Sequence, residues 1–305
     1  MLRLLGTLGR HGRWCLVLGL IAGMTLPGVA AALRPWLPEM IVALLFLAAL
    51  RIGPQASIGS LKDLRESLGL TLLFQLLAPL VAFAILAIMG VAAAPWALAL
   101  VLVLAAPPIT GGPNFTLLMH RDPSGAMRLL LLGTLLFPLT ALPILWLSPA
   151  FDTYQEVLLG AARLVGAVFG SVGVAFLLRH LFRPKLASAE ADALEGLAAL
   201  LLGIVVVGLM AAVGPALSSA PLAVLGWLAL AAAINFGSQI FAHRTLPLTN
   251  EGTRTGISIA AGNRNIALFL VALPDASVDT FLLFIGCYQV PMYLTPIVMR
   301  RFIAH

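Results

Sequence analysis

Ser258-Ile259-Ala260-Ala261-Gly262-Asn263-Arg264-Asn265-Ile266 sets Gly-Asn-Arg-Asn inside an apolar run that continues through Ala267-Leu268-Phe269-Leu270-Val271-Ala272-Leu273. An arginine flanked by two amides at membrane depth is costly and by default marks a functional position. Gly262 allows the helix to open here, and non-helical backbone at that depth is tolerated only when protein buries it or it lines a cavity. The competing reading is a surface loop between two short helices, for which the interruption is too short.

The rest of the chain supports membrane depth. Its 305 residues are 61% hydrophobic and 10% charged, with a mean hydropathy of +1.06. A soluble domain is roughly half apolar and a quarter charged. The composition is that of a polytopic membrane protein. The net charge of +6 does not point to nucleic acid, because the basic residues lie between apolar runs and form no single patch. Cys15 and Cys287 fall inside apolar segments and imply neither a disulfide framework nor a metal site. Arg3, Arg10 and Arg13 precede an apolar run ending Gly28-Val29-Ala30-Ala31-Ala32, which has the outline of a secretory signal. The repeat described below needs this segment as its first helix, so it is expected to be retained.

Ten apolar runs approach the roughly 20 residues needed to span: 14–32, 36–50, 67–90, 94–119 and 126–147, then 156–180, 193–213, 221–242, 252–273 and 278–299. Fifteen Lys and Arg, among them Lys62, Arg121, Arg179, Arg254 and Arg300, fall at the termini or in one set of loops. The opposite loops hold only Arg34, with Asp152, Glu156, Asp275 and Asp279. By the positive-inside rule both termini are expected in the cytoplasm of a cell whose inner (plasma) membrane holds the chain. Trp14, Trp36, Trp96 and Trp146 stand near span ends, as interfacial anchors do.

The two halves echo each other. Asn114 in Gly111-Gly112-Pro113-Asn114 and Asn265 in Gly262-Asn263-Arg264-Asn265 share a G-x-x-N pattern and lie 151 residues apart. In the spans that follow, Pro138 and Pro143 match Pro291 and Pro296, each pair 153 residues apart. Five spans per repeat is odd, so the halves run in opposite senses. Inverted repeats with interrupted helices in matching positions are the mark of secondary transporters, with the site near the bilayer midplane.

The interruptions suggest a chemistry. Pro107, Pro108 and Pro113 remove donors and Gly111 and Gly112 loosen what remains, so the fourth span cannot continue as one helix. Asn114 and Asn265 are each placed to cap a new half-helix. Two half-helix N-termini with partial positive charge, together with Arg264, favour an anionic group, in particular a carboxylate. The alternative is that the last carbonyls of the preceding half-helix neutralise Arg264 and it binds nothing. Gln75 in the third span, with Asn235 and Gln239 in the eighth, face the crossing or make ordinary interhelical hydrogen bonds, worth about 0.6 kcal/mol each. Thr140, Tyr293 and Thr295 lie between the paired prolines and line the site or simply pack. Arg163, inside the sixth span, is read as snorkelling or locally paired.

The histidines sit at the termini or span edges, without carboxylate or thiol partners, and no phosphate-cradling loop precedes a lysine. No enzyme, ATP site, cofactor or metal ligand set is indicated.

Ten spans as five plus five, with crossing fourth and ninth helices, resemble the bile acid:sodium symporter family. The motifs that carry the resemblance are Gly111-Gly112-Pro113-Asn114 and Gly262-Asn263-Arg264-Asn265-Ile266-Ala267-Leu268. It implies an all-α fold with panel helices at 14–50 and 156–213 and core helices at 67–147 and 221–299. It also implies alternating-access transport of an organic anion such as a bile acid, pantoate or another carboxylate. The substrate-binding set is then Gly112, Pro113, Asn114, Gly262, Asn263, Arg264 and Asn265, with Thr140, Tyr293, Thr295, Gln75 and Asn235. Sodium-coupled members carry E-x-G-x-Q-N at the ninth crossing. Here Ala260 and Arg264 stand at the Glu and Gln positions, and Pro113 stands where those members have serine. A guanidinium 4 Å from a sodium ion would repel it by about 4 kcal/mol at an effective dielectric of 20. The expectation is transport not coupled to sodium in the family's usual way. A sodium symporter with altered ligands is the near alternative, and a non-transporting receptor or scaffold the distant one.

Overall fold

Apolar composition becomes helix along almost the whole chain. The computed structural model describes residues 2–10, 12–59, 64–183, 185–246 and 251–303. Every regular element among them is helical, and one isolated backbone bridge is the only strand-like pairing they contain. Seven helices among the described residues are long and apolar enough to cross a membrane: Pro27–Gly53, Leu64–Ile88, Ser124–Leu147, Tyr154–Phe182, Ser188–Ser219, Pro221–Thr245 and Phe281–Val298. Two shorter apolar helices are Trp14–Thr25 and Pro95–Ala105. The chain is a multi-pass, all-α membrane protein. Trp14, Trp36, Trp96 and Trp146 are all exposed, as lipid-facing rings should be. Lys62, His11 and His305 lie outside the described residues, as do the side chains of Arg3, Arg10, Arg13, Asp275 and Asp279.

The first two expected spans are divided differently from the reading above. The helix ends at Thr25, and a new one runs from Pro27 to Gly53. Pro27 takes a first-turn position, and Leu26 before it is held at φ −119°, ψ 66°, out of the helical region as a residue preceding proline tends to be. Arg34 and Pro35, expected in a loop, form with Trp36 a 3₁₀ turn within the second run. Pro35 sits at the start of that turn, where no amide donor is needed.

The chain divides into two compact units, Met1–Ile58 with Val165–Val224 and Gly59–Leu164 with Leu225–His305. In the first, helix Ser188–Leu209 lies along Leu2–Arg10 and Gly12–Thr25. Glycines allow the approach, as in other membrane helix pairs. A Cβ on Gly19 would lie 2.6 Å from the Gly203 carbonyl, and one on Gly196 would fall on that of Leu5. Gly53 ends the straight part of helix Leu37–Gly59 at φ +73°. Arg179, 8% exposed, donates from Nη1 to the carbonyls of Leu50 (2.9 Å) and Arg51 (3.3 Å). Its guanidinium occupies the space that a side chain at position 53 would need.

The second unit holds both segments expected as interrupted spans. The one expected as the fourth is Pro95–Ala105 and Gly112–Leu118, separated by residues 106–111 (the first break). The one expected as the ninth is α-helical over Glu251–Gly262 and 3₁₀ over Ile266–Val271, separated by 263–265 (the second break). Pro138, Pro143, Pro291 and Pro296 interrupt nothing and stand inside continuous helices.

Candidate functional site

A helix that stops inside a membrane leaves carbonyls and amides that must find other partners. At the two breaks these groups satisfy each other. Ile109 N donates to the Asn263 carbonyl (3.0 Å) and Asn265 N donates to that of Pro107 (2.7 Å). Pro108 and Arg264 therefore face each other in a two-bond antiparallel bridge. The two broken helical segments cross here, backbone to backbone.

The remaining carbonyls are taken by side chains. Gly262 O accepts from Asn235 Nδ2 (2.7 Å) and from the Tyr288 hydroxyl. Ala261 O accepts from Arg264 Nε (2.8 Å), and Ala106 O accepts from Arg264 Nη1 (3.0 Å). In an unbroken helix the carbonyls of 261 and 262 would serve the amides of 265 and 266. Capturing them ends the helix at Gly262.

Arg264 is only 4% exposed. Its guanidinium carbon lies 5.6 Å from the centre of the Phe74 ring, within cation–π range. The carbonyls it engages belong to the C-terminal ends of two helices, each carrying about half a negative charge. Among the described residues no carboxylate pairs with it, and its Nη2 makes no hydrogen bond.

Behind the second break stands an uncharged network. Thr295 Oγ1 lies 3.0 Å from Asn263 Oδ1 and 3.3 Å from Asn235 Oδ1, and can donate to either. Gln239 Nε2 donates to Asn235 Oδ1 (2.8 Å) and Thr295 Oγ1 (3.2 Å). Asn263 Nδ2 turns back to the Ile259 carbonyl (2.9 Å). Beside the first break, Gln75 sits in a π-helical turn, Leu73–Leu77, a local widening common at functional sites. Its Nε2 donates to Thr140 Oγ1 (2.8 Å) and to Gly133 O (2.9 Å). Gly133 is glycine because a Cβ there would lie 2.8 Å from Pro108 Cδ and 2.9 Å from Gln75 Oε1.

The residues singled out from sequence therefore separate. Gly262, Asn263, Arg264, Asn265, Asn235 and Thr295 converge on the second break, and Gln75 and Thr140 support the first. Gly112 and Pro113 are buried at the start of helix Gly112–Leu118. Tyr293 is half-buried, with its hydroxyl enclosed and unpartnered. Arg163 is exposed on helix Tyr154–Val165, apart from the crossing.

Two expectations are corrected. Asn114 is not the cap of the half-helix that follows the first break. That helix begins at Gly112, three residues earlier than expected, because Pro113 suits its first turn, and Gly111 occupies the cap position. Asn265 does hold the cap position before Ile266, but its side chain makes no capping bond, and the segment beyond is 3₁₀. With Asn265 N given to Pro107 and Gly262 O captured, the tighter helix is what remains.

Tyr288 and Phe74 escaped the reading from sequence. Each lies in an apolar run as an aromatic residue of ordinary kind, and only the fold brings them to Gly262 and Arg264.

No model of a known protein family matches the chain, and a comparison with curated proteins finds no relative.

Proposed function

We propose that the chain is a secondary transporter of an organic anion carrying a carboxylate, working by alternating access and without sodium coupling. The observation that carries this reading is Arg264: a buried guanidinium where two broken helices cross, with no carboxylate among the described residues to neutralise it. Nε and Nη1 are committed to carbonyls, which leaves the N–H groups of Nη2 for an incoming anion. The pairing of Gln75 with Thr140 at one break, and of Asn235 and Gln239 with Thr295 at the other, supports ten spans in a five-plus-five inverted repeat. The resemblance to bile acid:sodium symporters belongs to the same proposal, as does an inner-membrane location with both termini in the cytoplasm.

The resemblance also implies bound sodium, and the residues present do not fit it. Two carbonyls that a cation at the crossing could use, those of Ala261 and Ala106, already accept from Arg264. Arg264 stands as the fixed cation of the site.

Uptake of a panel of labelled carboxylates into proteoliposomes tests the reading, with sodium present and with choline in its place. Uptake of at least one anion at equal rates in both is expected, and Arg264→Gln should abolish it. Uptake that stops without sodium would overturn the ion assignment. The ties to two helix ends favour a second reading, a non-transporting receptor or scaffold in which Arg264 only closes the helices. An anion at 100 times its Kd should stabilise a transporter by about 2.7 kcal/mol, and a panel with no stabilising member would favour the scaffold.

A further inference from the structure

Residues in or just after five helices, all within the second unit, meet at one apolar cluster. Met119, Ile259, Met299 and Ile303 are buried together, with Phe115, Phe236 and Ile240 packed on them. Met119 follows helix Gly112–Leu118, and Ile259 lies in Glu251–Gly262. Met299 follows Asp275–Val298, and Ile303 closes the short helix Arg300–Ile303. Ile240 comes from Pro221–Thr245.

Cations flank the cluster's residues along the chain. Arg244 stands one helical turn beyond Ile240 and so on the same face. Arg300 and Arg301 lie between Met299 and Ile303. All three are exposed, and among the described residues none makes a side-chain hydrogen bond or ion pair. His120, also exposed, follows Met119 with a left-handed φ of 57°, a conformation that is uncommon for a residue with a side chain. The nearby carboxylate of Asp122 is engaged by Ser124. Beside the arginines the Phe302 ring is 58% exposed.

We infer that this end of the second unit binds the phosphate headgroups of anionic phospholipids. Guanidinium matches phosphate through paired N–H donors, which the ammonium of lysine does not provide. Arg244 and the Arg300–Arg301 pair stand at the ends of membrane-crossing helices, where basic side chains meet a leaflet's headgroups. The exposed Phe302 decides between sources of phosphate. A soluble anion has no use for an aromatic ring beside it, whereas a lipid places acyl chain there. Met119 follows one helix that borders a break and Ile259 lies in another, so the cluster beside the arginines includes a residue from each interrupted segment.

The test uses the full chain in phosphatidylcholine vesicles containing fluorescent phosphatidylglycerol, and reads the preference of the charged lipid over the neutral one by energy transfer from the protein's tryptophans. Each arginine near a leaflet contributes about fivefold. Arg244→Gln, Arg300→Gln and Arg301→Gln combined should therefore remove a preference on the order of 100-fold. Because the three are exposed and have no side-chain partner among the described residues, the combined variant should keep the wild-type melting temperature in detergent, which separates lost binding from lost folding. A preference that survives in the combined variant would overturn the assignment. So would displacement of the lipid by inorganic phosphate at matched ionic strength, because the surface would then take a soluble anion. Neither readout depends on transport, so this inference and the proposed function stand or fall separately.

Discussion

The two breaks lie against each other and are made by different means. At the first, Pro107 and Pro108 lack the amides that would continue helix Pro95–Ala105, so covalent structure stops it. The second has no proline between residues 251 and 273. Its helix stops because Asn235 and Tyr288 take the carbonyl of Gly262, and Arg264 takes that of Ala261. One break is written into its own residues, and the other is imposed by neighbouring helices. Gly53 shows a third means, a positive φ with Arg179 closing the carbonyls ahead of it. Both arginines do the same work on helix C-termini, where a cation is electrostatically favoured.

Substitutions can break or sharpen this contrast. Gly262→Ala should have the largest effect, because its Cβ would collide with the Asn235 carbonyl and with Gln239. We expect a loss of about 3 kcal/mol or more, read as a lower thermal midpoint in detergent. Wild-type melting would show that the second break does not need that close approach. Asn235→Leu strips one donor from Gly262 O and should cost about 1–3 kcal/mol. If it costs nothing, Tyr288 alone ends the helix. Gly53→Ala forces a side chain into positive-φ extended backbone (φ 73°, ψ 165°) that is essentially glycine-only, at about 1–3 kcal/mol, and should also displace Arg179; chemical denaturation of the variant measures it.

Pro107→Ala should cost only about 0.4–1 kcal/mol, since Pro108 still blocks the helix and the bridge to the ninth span remains. A larger loss than for Asn235→Leu would reverse the contrast drawn above. The smallest effect belongs to Asp122, outside the membrane, whose carboxyl is held below the usual carboxylate range by the Ser124 hydroxyl and amide. Because its folded pKa is depressed, its contribution is present above the unfolded value of about 4. It is lost as pH falls through the folded value. Thermal midpoints between neutral and acidic pH should therefore fall slightly more for the wild type than for Asp122→Asn.

Much of the site was legible because its residues break the rules of their surroundings. Amides and an arginine in an apolar run stand out without any structure, and so do prolines followed by paired glycines. The capping roles of Asn114 and Asn265 were not legible. Where a half-helix begins depends on which backbone groups its neighbour has claimed, and Asn265 N went to Pro107 on a segment about 160 residues away in sequence. The loop expected at Arg34 failed for a local reason: proline at the start of a turn continues helical geometry as readily as it ends it.

By itself the sequence determined that the chain is helical and membrane-embedded, because some twenty apolar residues in a row leave the backbone no other way to satisfy its polar groups. It also determined that the apolar run at 94–119 must break, since proline carries that instruction in its own ring. Only the tertiary structure decided that the helix from Glu251 breaks at Gly262, what holds Arg264, and which carbonyls lie beside it. Those outcomes rest on hydrogen bonds between residues far apart in the chain, and a captured carbonyl leaves no trace in the residue that bears it.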